Sequence, residues 1–363
     1  MRRAGPAGRL AKAAIIQPFA CSTFMRVTHG AARAALAPAA VTIGNFDGVH
    51  MGHQAMLRRV IGEARARSIE SCVLTFEPHP REVFEKMREK MPDRLPGSSG
   101  NGTAPTRLTS LREKLELLEA SGADRVHIER FSPAFAALSP EDFVRKVLIK
   151  TLSARWVLVG DDFRFGAKRA GNFELMRAMG EAGGFGVDRM GSVMLHGIRV
   201  SSGAVREALA DGDVARAQSL LGRPYSISGR VIHGRKLGRT LGFATANIQM
   251  KHNRPPLAGI FVVRLHGVGE TALPGVASLG VRPTVDSVGK ATLEVHLFDF
   301  SSELYGRHVR VDFLKKIRNE EKYPDLEALR SQITRDCEAA RAYHREHAGE
   351  DPGQYGAKAQ ARP

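Results

Sequence analysis

The chain is patterned in two ways, one after the other. From about Val41 to Leu221, short apolar runs alternate with helical periodicity. Residues 41–44, 72–76, 125–129 and 156–160 read as strands, and residues 54–66 carry their apolar positions on one helical face. Ser110-Leu-Arg-Glu113 has the form of a capping box, with Leu111, Leu115 and Leu118 along one side of the helix and Gly122 as its stop. Ser139-Pro-Glu-Asp142 opens a further helix, with proline at the first helical position. Such alternation predicts a parallel sheet covered on both faces, with ligands beyond the carboxyl ends of its strands. After Gly222-Arg-Pro224 the pattern changes. Residues 227–232, 260–266, 291–298 and 308–314 alternate with period two and are separated by turns, which predicts an antiparallel β-barrel. A helix over residues 324–344 follows. The fold class is therefore α/β followed by β, with a boundary near residue 223. The expected units are an extension (1–24), a Rossmann-like domain (25–222), a barrel domain with a C-terminal helix (223–348) and a disordered tail (349–363). Residues 91–106, rich in Pro, Gly and Ser, read as a flexible surface loop, an insertion in preference to a lid.

Chemistry concentrates in Val41-Thr-Ile-Gly-Asn-Phe-Asp-Gly-Val-His-Met-Gly-His53. A strand, a glycine-spaced turn and a helix start form an anion site, where backbone N–H groups and the positive end of the helix dipole face a phosphate. His50 and His53, at i and i+3, lie on one face of a helical turn and can reach the same phosphoryl group. Gly48 and Gly52 allow close approach of a nucleotide. A histidine pair alone favours metal binding or plain surface residues. The flanking Gly44-Asn45-Phe46-Asp47-Gly48 turns the reading toward nucleotidyl transfer at the α-phosphate of a nucleoside triphosphate.

A second candidate is the basic loop Gly234-Arg-Lys-Leu-Gly-Arg-Thr-Leu-Gly242, running into Phe243-Ala-Thr-Ala-Asn247. Gly234, Lys236, Gly238, Arg239 and Gly242 suit a polyphosphate, and the Thr245 hydroxyl and Asn247 carbonyl suit a phosphate-bound Mg²⁺. A hairpin turn explains the glycines equally well. In Ala291-Thr-Leu-Glu-Val-His-Leu297, Glu294 and His296 face away from Leu293, Val295 and Leu297. Glu294 is a candidate general base, although spacing alone favours a solvent-facing carboxylate.

Composition narrows the class. The 363 residues are 43% hydrophobic and 25% charged, with no apolar run of membrane-spanning length, so no membrane association is expected. Three cysteines, scattered at 21, 72 and 337, suit a reducing cytoplasm better than a disulfide framework. The net charge of +16 is spread along the chain without interleaved aromatics, which argues for small polyanionic substrates over nucleic acid. Met1 to Phe46 carries no acidic residue and has a transit-peptide composition, but a disordered extension or a misassigned start ahead of Met25 is the favoured reading. Oligomeric state is not legible.

Together the motifs resemble the prokaryotic bifunctional riboflavin kinase/FAD synthetase family. The resemblance is carried by Gly44 to Gln54, Thr75-Phe-Glu-Pro-His-Pro80, Val159-Gly-Asp-Asp-Phe-Arg-Phe-Gly166 and Ser201-Ser-Gly-Ala-Val-Arg206. Further matches are Gly238 to Asn247, Gly275 to Thr284 and Leu293 to Asp299, and the whole spans about Met25 to Ala348. It implies that the barrel phosphorylates riboflavin with ATP to FMN, and that the first domain transfers AMP to FMN, giving FAD and pyrophosphate. It further implies that His50 and His53 hold the ATP phosphates, that Ser201, Ser202 and Arg206 form a second phosphate motif, and that Asp162 contacts nucleotide. Thr245 and Asn247 would hold Mg·ATP, Glu294 would be the base for the ribityl hydroxyl, and Arg318 and Tyr323 would lie near flavin. Two positions depart from the family. Ala244 stands where proline is usual, leaving that segment freer in φ, and Gly203 replaces a threonine. A single-activity nucleotidylyltransferase and a flavin-binding protein with decayed sites are the rival readings.

Overall fold

The computed structural model describes residues 24–30, 36–90, 104–234, 242–251, 254–281 and 291–348. The first unit is a six-stranded parallel sheet of β1 (Arg26–His29), β2 (Ala39–Ile43), β3 (Glu70–Glu77), β4 (Arg125–Arg130), β5 (Ala154–Gly160) and β6 (Gly186–Met190). Its spatial order is β1-β4-β3-β2-β5-β6. All five residues of β2 are buried, as a central strand covered on both faces requires. The chain steps outward from β2 through β3 to β4, then returns to the other side of β2 for β5 and β6. The strand direction of travel reverses beside β2, which is where open α/β sheets bind ligands.

Helices cover this sheet: α1 (Met51–Ala66), α2 (Pro80–Lys90), α3 (Leu111–Ala120), α4 (Pro133–Ala136), α5 (Pro140–Asp142), α6 (Phe173–Gly183), α7 (Ser202–Ala210) and α8 (Val214–Leu221). The capping box of α3 is formed, Ser110 taking the Glu113 N–H and Glu113 returning to the Ser110 N–H. Ser139 caps α5 ahead of Pro140, and a wide π-helical stretch continues over Phe143–Thr151. One boundary differs from expectation. α1 starts at Met51, three residues earlier than the periodicity predicts, because the His50 ring itself is the N-cap and accepts the His53 N–H. Between β6 and α7 lies a small hairpin, β7 (Met194–Leu195) with β8 (Ile198–Arg199).

The second unit is a closed antiparallel barrel in the order β10-β13-β12-β11-β14-β9. Its strands are β9 (Tyr225–Ile232), β10 (Thr245–Met250), β11 (Gly259–His266), β12 (Leu273–Val281), β13 (Ala291–Leu297) and β14 (His308–Arg318). Along β13 burial alternates strictly, with Leu293, Val295 and Leu297 inside and Glu294 and His296 outside. Thr245 to Asn247, into which the glycine-spaced loop Gly234–Gly242 runs, open a strand that the periodicity did not predict. The C-terminal helix, Leu326–Glu346, packs Cys337 and Ala340 against Val262, Val276 and Leu314 on the barrel's outer surface. The Rossmann-like unit, the antiparallel barrel and the C-terminal helix are thus the architecture the pattern predicts. Among the described residues six strands escaped it: β1, β6, the short hairpin strands β7 and β8, β10 and β12.

One hydrophobic cluster joins Val205, Leu209 and Leu221 of the first unit to Tyr225, Phe261 and Phe313 of the barrel. The two units therefore share core as well as chain.

Candidate active sites

β2 ends at Ile43, and the chain turns over the carboxyl edge of the sheet in a left-handed run: Phe46 (φ 49°), Gly48 (φ 82°) and Val49 (φ 41°). For Phe and Val this conformation is strained, at a cost on the order of 1–3 kcal/mol each. The turn is held from several directions. Buried Asp47 accepts the N–H groups of Leu108 and Thr109 (3.0 Å each), the Thr109 hydroxyl (3.2 Å) and the Arg206 guanidinium. Ser202 donates its hydroxyl to the Asp47 carbonyl at 2.8 Å. Gly48 N–H goes to Thr109 Oγ1 at 3.1 Å, and Thr75 Oγ1 donates to the Asn45 carbonyl at 3.2 Å. Arg223 donates to the carbonyls of Gly48 (2.7 Å) and Val49 (3.2 Å), while Gln54 bridges Val49 and Leu221.

His50 and His53 emerge at the start of α1 with their rings stacked, centroids 3.7 Å apart, and Phe46 4.8 Å from His53. A Cβ on Gly52 would lie 3.1 Å from the His50 ring, so the glycine leaves room for that ring. Burial lowers the His50 pKa from 6.5 to about 4, against the opposing pull of Asp47. Burial also pushes His53 well down, with His50 and Lys114 adding to the effect. Both rings are therefore neutral near pH 7, each with one N–H to donate. His53 Nδ1 is buried without a hydrogen-bond partner.

The geometry separates the predicted residues by task. Gly44, Asn45, Phe46, Asp47, Gly48, His50, Gly52, His53, Ser201, Ser202 and Arg206 all belong to this edge, where Ser201 caps α7. Asp47 faces inward, as the knot that holds the loop 106–109 and Arg206 against the turn. The Arg206 Nε also donates to the Thr106 carbonyl at 2.6 Å. Asp162 stands apart on the exposed turn after β5, where Arg199 pairs with it at 2.8 Å. Several groups were not legible in sequence: Arg107, doubly paired to Glu77 and Glu82; Lys114, buried beneath the turn; and an aromatic cluster. In that cluster Phe84 is 41% exposed and sits edge-on to Phe131, which packs on Phe76 and Phe135. Phe76 lies within the Thr75-to-Pro80 motif and Phe84 four residues beyond it, and that motif was the one available signal for the cluster.

On the barrel, register places Asn247 directly opposite Glu294, Thr245 opposite His296, and Glu294 opposite Ser278 on its other side. Thr245, Asn247, Glu294 and Ser278 thus share one patch of the outer surface. His296 Nδ1 donates to the Ala244 carbonyl at 2.9 Å. A Cβ on Gly234 would lie 2.1 Å from Asn247 Nδ2, so the glycine backbone closes directly on the asparagine side chain. Gly242 has φ 89°. Lys236, Gly238 and Arg239 lie outside the described residues, as do residues 1–23, 91–103, 282–290 and 349–363. Arg318 is held by Asp336 (Nε–Oδ1 2.9 Å, Nη2–Oδ2 2.7 Å), which raises its pKa, and Tyr323 lies beneath its guanidinium at 5.7 Å. Next to them Glu320 accepts the Ser278 hydroxyl at 2.7 Å. The segment after β14 therefore folds over β12 beside the Asn247–Glu294 pair.

The Thr245 hydroxyl and Asn247 amide oxygen are hard oxygen donors on one face, which fits Mg²⁺ with phosphate and water completing its shell, and the Glu294 carboxylate opposite Asn247 is left to act as a base. Among the described residues no group of three or more His, Cys, Asp or Glu is placed to hold a metal.

Two family models match the chain, one described as FAD synthetase over residues 32–204 and one as riboflavin kinase over residues 221–344. The bifunctional riboflavin kinase/FMN adenylyltransferase of Escherichia coli strain K12 is 44% identical over 319 residues, covering 88% of this chain and 97% of the relative. Its Pseudomonas fluorescens counterpart is 46% identical over 301 residues, covering 83% and 91%. A crystal structure from Streptococcus pneumoniae, described as a macrolide-efflux protein, superposes with a TM-score of 0.72 at 26% identity, covering 87% of this chain and 99% of that one. Among the described residues here, no helix is long and apolar enough to cross a membrane.

Proposed function

Because the chain belongs to the bifunctional riboflavin kinase/FMN adenylyltransferase family, we propose that it makes FMN from riboflavin on the barrel and FAD from FMN on the parallel sheet, using ATP in both steps. The observation that carries this reading is the presence of two separate phosphate-directed constellations on two folds in one chain. One is the stacked neutral His50–His53 pair at a helix N-terminus, and the other is Asn247 paired in register with Glu294.

In the adenylyl transfer, a phosphate oxygen of FMN attacks the α-phosphorus of ATP, the bond to the bridging oxygen breaks, and pyrophosphate leaves. Negative charge grows on the non-bridging oxygens at that moment. Neutral imidazole N–H groups and the N-terminal dipole of α1, held in place by the packed turn, would stabilise that charge with little reorganisation. Ser202 and Arg206 are assigned to the departing pyrophosphate, which would draw them from their contacts with Asp47, and Asp162, on the turn after β5, is assigned to the nucleotide. Phe84, exposed at the same edge, offers an aromatic face to the flavin ring.

In the phosphoryl transfer, Glu294 takes the proton of the ribityl 5′-hydroxyl as that oxygen attacks the γ-phosphorus of ATP, the bond from that phosphorus to the β,γ-bridging oxygen breaks, and ADP leaves. Thr245 and Asn247 would hold Mg²⁺, which when bound neutralises phosphate charge. Gly234, Lys236, Gly238, Arg239 and Gly242 would bind the polyphosphate, as the family resemblance implies, and Arg318 and Tyr323 would border the flavin. Cys72 and Cys337, both free and buried, are in keeping with work in a reducing cytoplasm.

The test is incubation with riboflavin, ATP and Mg²⁺ followed by chromatography of the flavins. His50→Ala should stop FAD formation and leave FMN formation intact, and Glu294→Gln should stop FMN formation while FAD still forms from supplied FMN. Loss of both activities in either variant would refute the two-site assignment.

A further inference from the structure

Lys114 is 3% exposed, on the face of α3 that packs under the carboxyl edge of the sheet. Its hydrogen-bond contact is long, Nζ to Thr75 Oγ1 at 3.5 Å, and Thr75 in turn donates to the Asn45 carbonyl of the phosphate turn. A buried ammonium with three donors and one weak partner is costly, so a core lysine is retained only against that cost. The carboxylates within electrostatic reach, Asp47, Glu77 and Glu82, are committed elsewhere. Asp47 serves Leu108, Thr109 and Arg206, while both glutamates serve Arg107. Burial correspondingly lowers the Lys114 pKa. A methionine would fill the same space without the cost.

We propose that Lys114 is a positioning residue for adenylyl transfer: it fixes the Asn45–His53 turn from beneath through Thr75 and sets a positive charge behind the His53 ring. The inference rests on the adenylyltransferase reading of this edge. Its two parts act together. The Lys114–Thr75–Asn45 relay shapes the turn, and the charge favours the neutral form of His53 and electron withdrawal from the α-phosphate. Charged and titratable groups facing His53 are His50 on the same helix and Lys114 from α3.

The experiment compares wild type, Lys114→Met, Lys114→Arg and Thr75→Val in FMN-to-FAD turnover, with riboflavin phosphorylation as internal control and thermal unfolding in parallel. In Lys114→Met the FAD-forming kcat should fall on the order of 10- to 100-fold, the size of an electrostatic or sub-ångström positioning loss. FMN formation should stay within about twofold, and the unfolding midpoint should hold or rise, as replacing a poorly paired buried charge predicts. The acid limb of the FAD-forming kcat should move to higher pH, because His53 without the neighbouring charge protonates more readily. Thr75→Val, which keeps shape and charge, should lose part of the rate without moving that limb, and Lys114→Arg should restore the limb. An FAD-forming rate within about twofold of wild type in Lys114→Met, or a rate lost only in step with the unfolding midpoint, would overturn the proposal. Wild-type protein that makes no FAD from FMN would overturn the underlying reading of the site as well.

Discussion

Arg223 lies in the short link between α8 and β9, yet its guanidinium reaches the Asn45–His53 turn 174 residues earlier in the chain. Replacing it with alanine removes the 2.7 Å hydrogen bond to the Gly48 carbonyl and the 3.2 Å bond to the Val49 carbonyl. Charge-assisted bonds of this kind contribute about 1.5–3 kcal/mol each. Gln54 still holds Val49, so the net loss should be about 2–3 kcal/mol. That is comparable to the strain stored at Phe46 and Val49, on the order of 1–3 kcal/mol each, so the turn is expected to relax away from its left-handed geometry. A displacement of about 1 Å at a phosphate site costs on the order of 100-fold in rate. Arg223→Ala should therefore lower the FAD-forming kcat by about 10- to 100-fold, with riboflavin phosphorylation within about twofold of wild type. Arg223→Lys, offering a point charge in place of a fork, should recover only part of the loss. The assay is FMN-to-FAD turnover at saturating ATP beside an unfolding curve. A lowered unfolding midpoint with an unchanged FAD-forming rate would refute the reasoning, since it would show that the turn keeps its shape without the clamp.

Other expectations follow from the same geometry. Glu113 accepts Ser110 N–H at 2.7 Å through one oxygen, and Ser228 N–H (2.6 Å) and hydroxyl (3.0 Å) through the other. Glu113→Ala leaves those buried donors without it and should cost about 3–5 kcal/mol, read by urea unfolding; a loss under about 1 kcal/mol would show that the serines find other partners. Burial holds His50 and His79 at about 4 in the folded chain, while the unfolded chain takes up protons near 6.5. Stability is thus complete above pH 6.5 and declines as pH falls toward 4, by up to about 1.4 kcal/mol per pH unit for each ring. A His50→Gln, His79→Gln double variant should flatten that decline, and an equally steep curve in the variant would assign it to other groups. Ala244→Pro keeps the carbonyl that His296 grips and narrows φ, so the FMN-forming kcat should rise about two- to fivefold, the equivalent of 0.4–1 kcal/mol; equal rates would show that position 244 is already fixed by its neighbours.

The sequence by itself determined the two-part architecture, because period-two and helical periodicity are local and each was strong where it was seen. It also determined the existence of the His50–His53 turn, whose pieces lie within a dozen residues, and the inward and outward faces of β13. It did not show β1, β6, β10 or β12. β1 has four residues at an edge, β6 (Gly-Val-Asp-Arg-Met) is half polar, β10 begins Thr-Ala-Asn, and β12 carries proline and two glycines. Their strand state is imposed by neighbours in the sheet more than by their own composition. Nor could it reveal that His50 is a helix cap, a place that propensity reserves for Ser, Thr, Asp and Asn. Tertiary structure alone decided that the turn sits at the topological switch point and that Asp47 faces inward to the loop 106–109 and Arg206. It alone set Asn247 against Glu294 and brought Lys114 and Arg223 beneath and behind the histidines. Each of these partnerships joins residues tens to well over a hundred positions apart. Periodicity carries which face a residue occupies, and only the closed sheet and barrel fix which distant group it meets there.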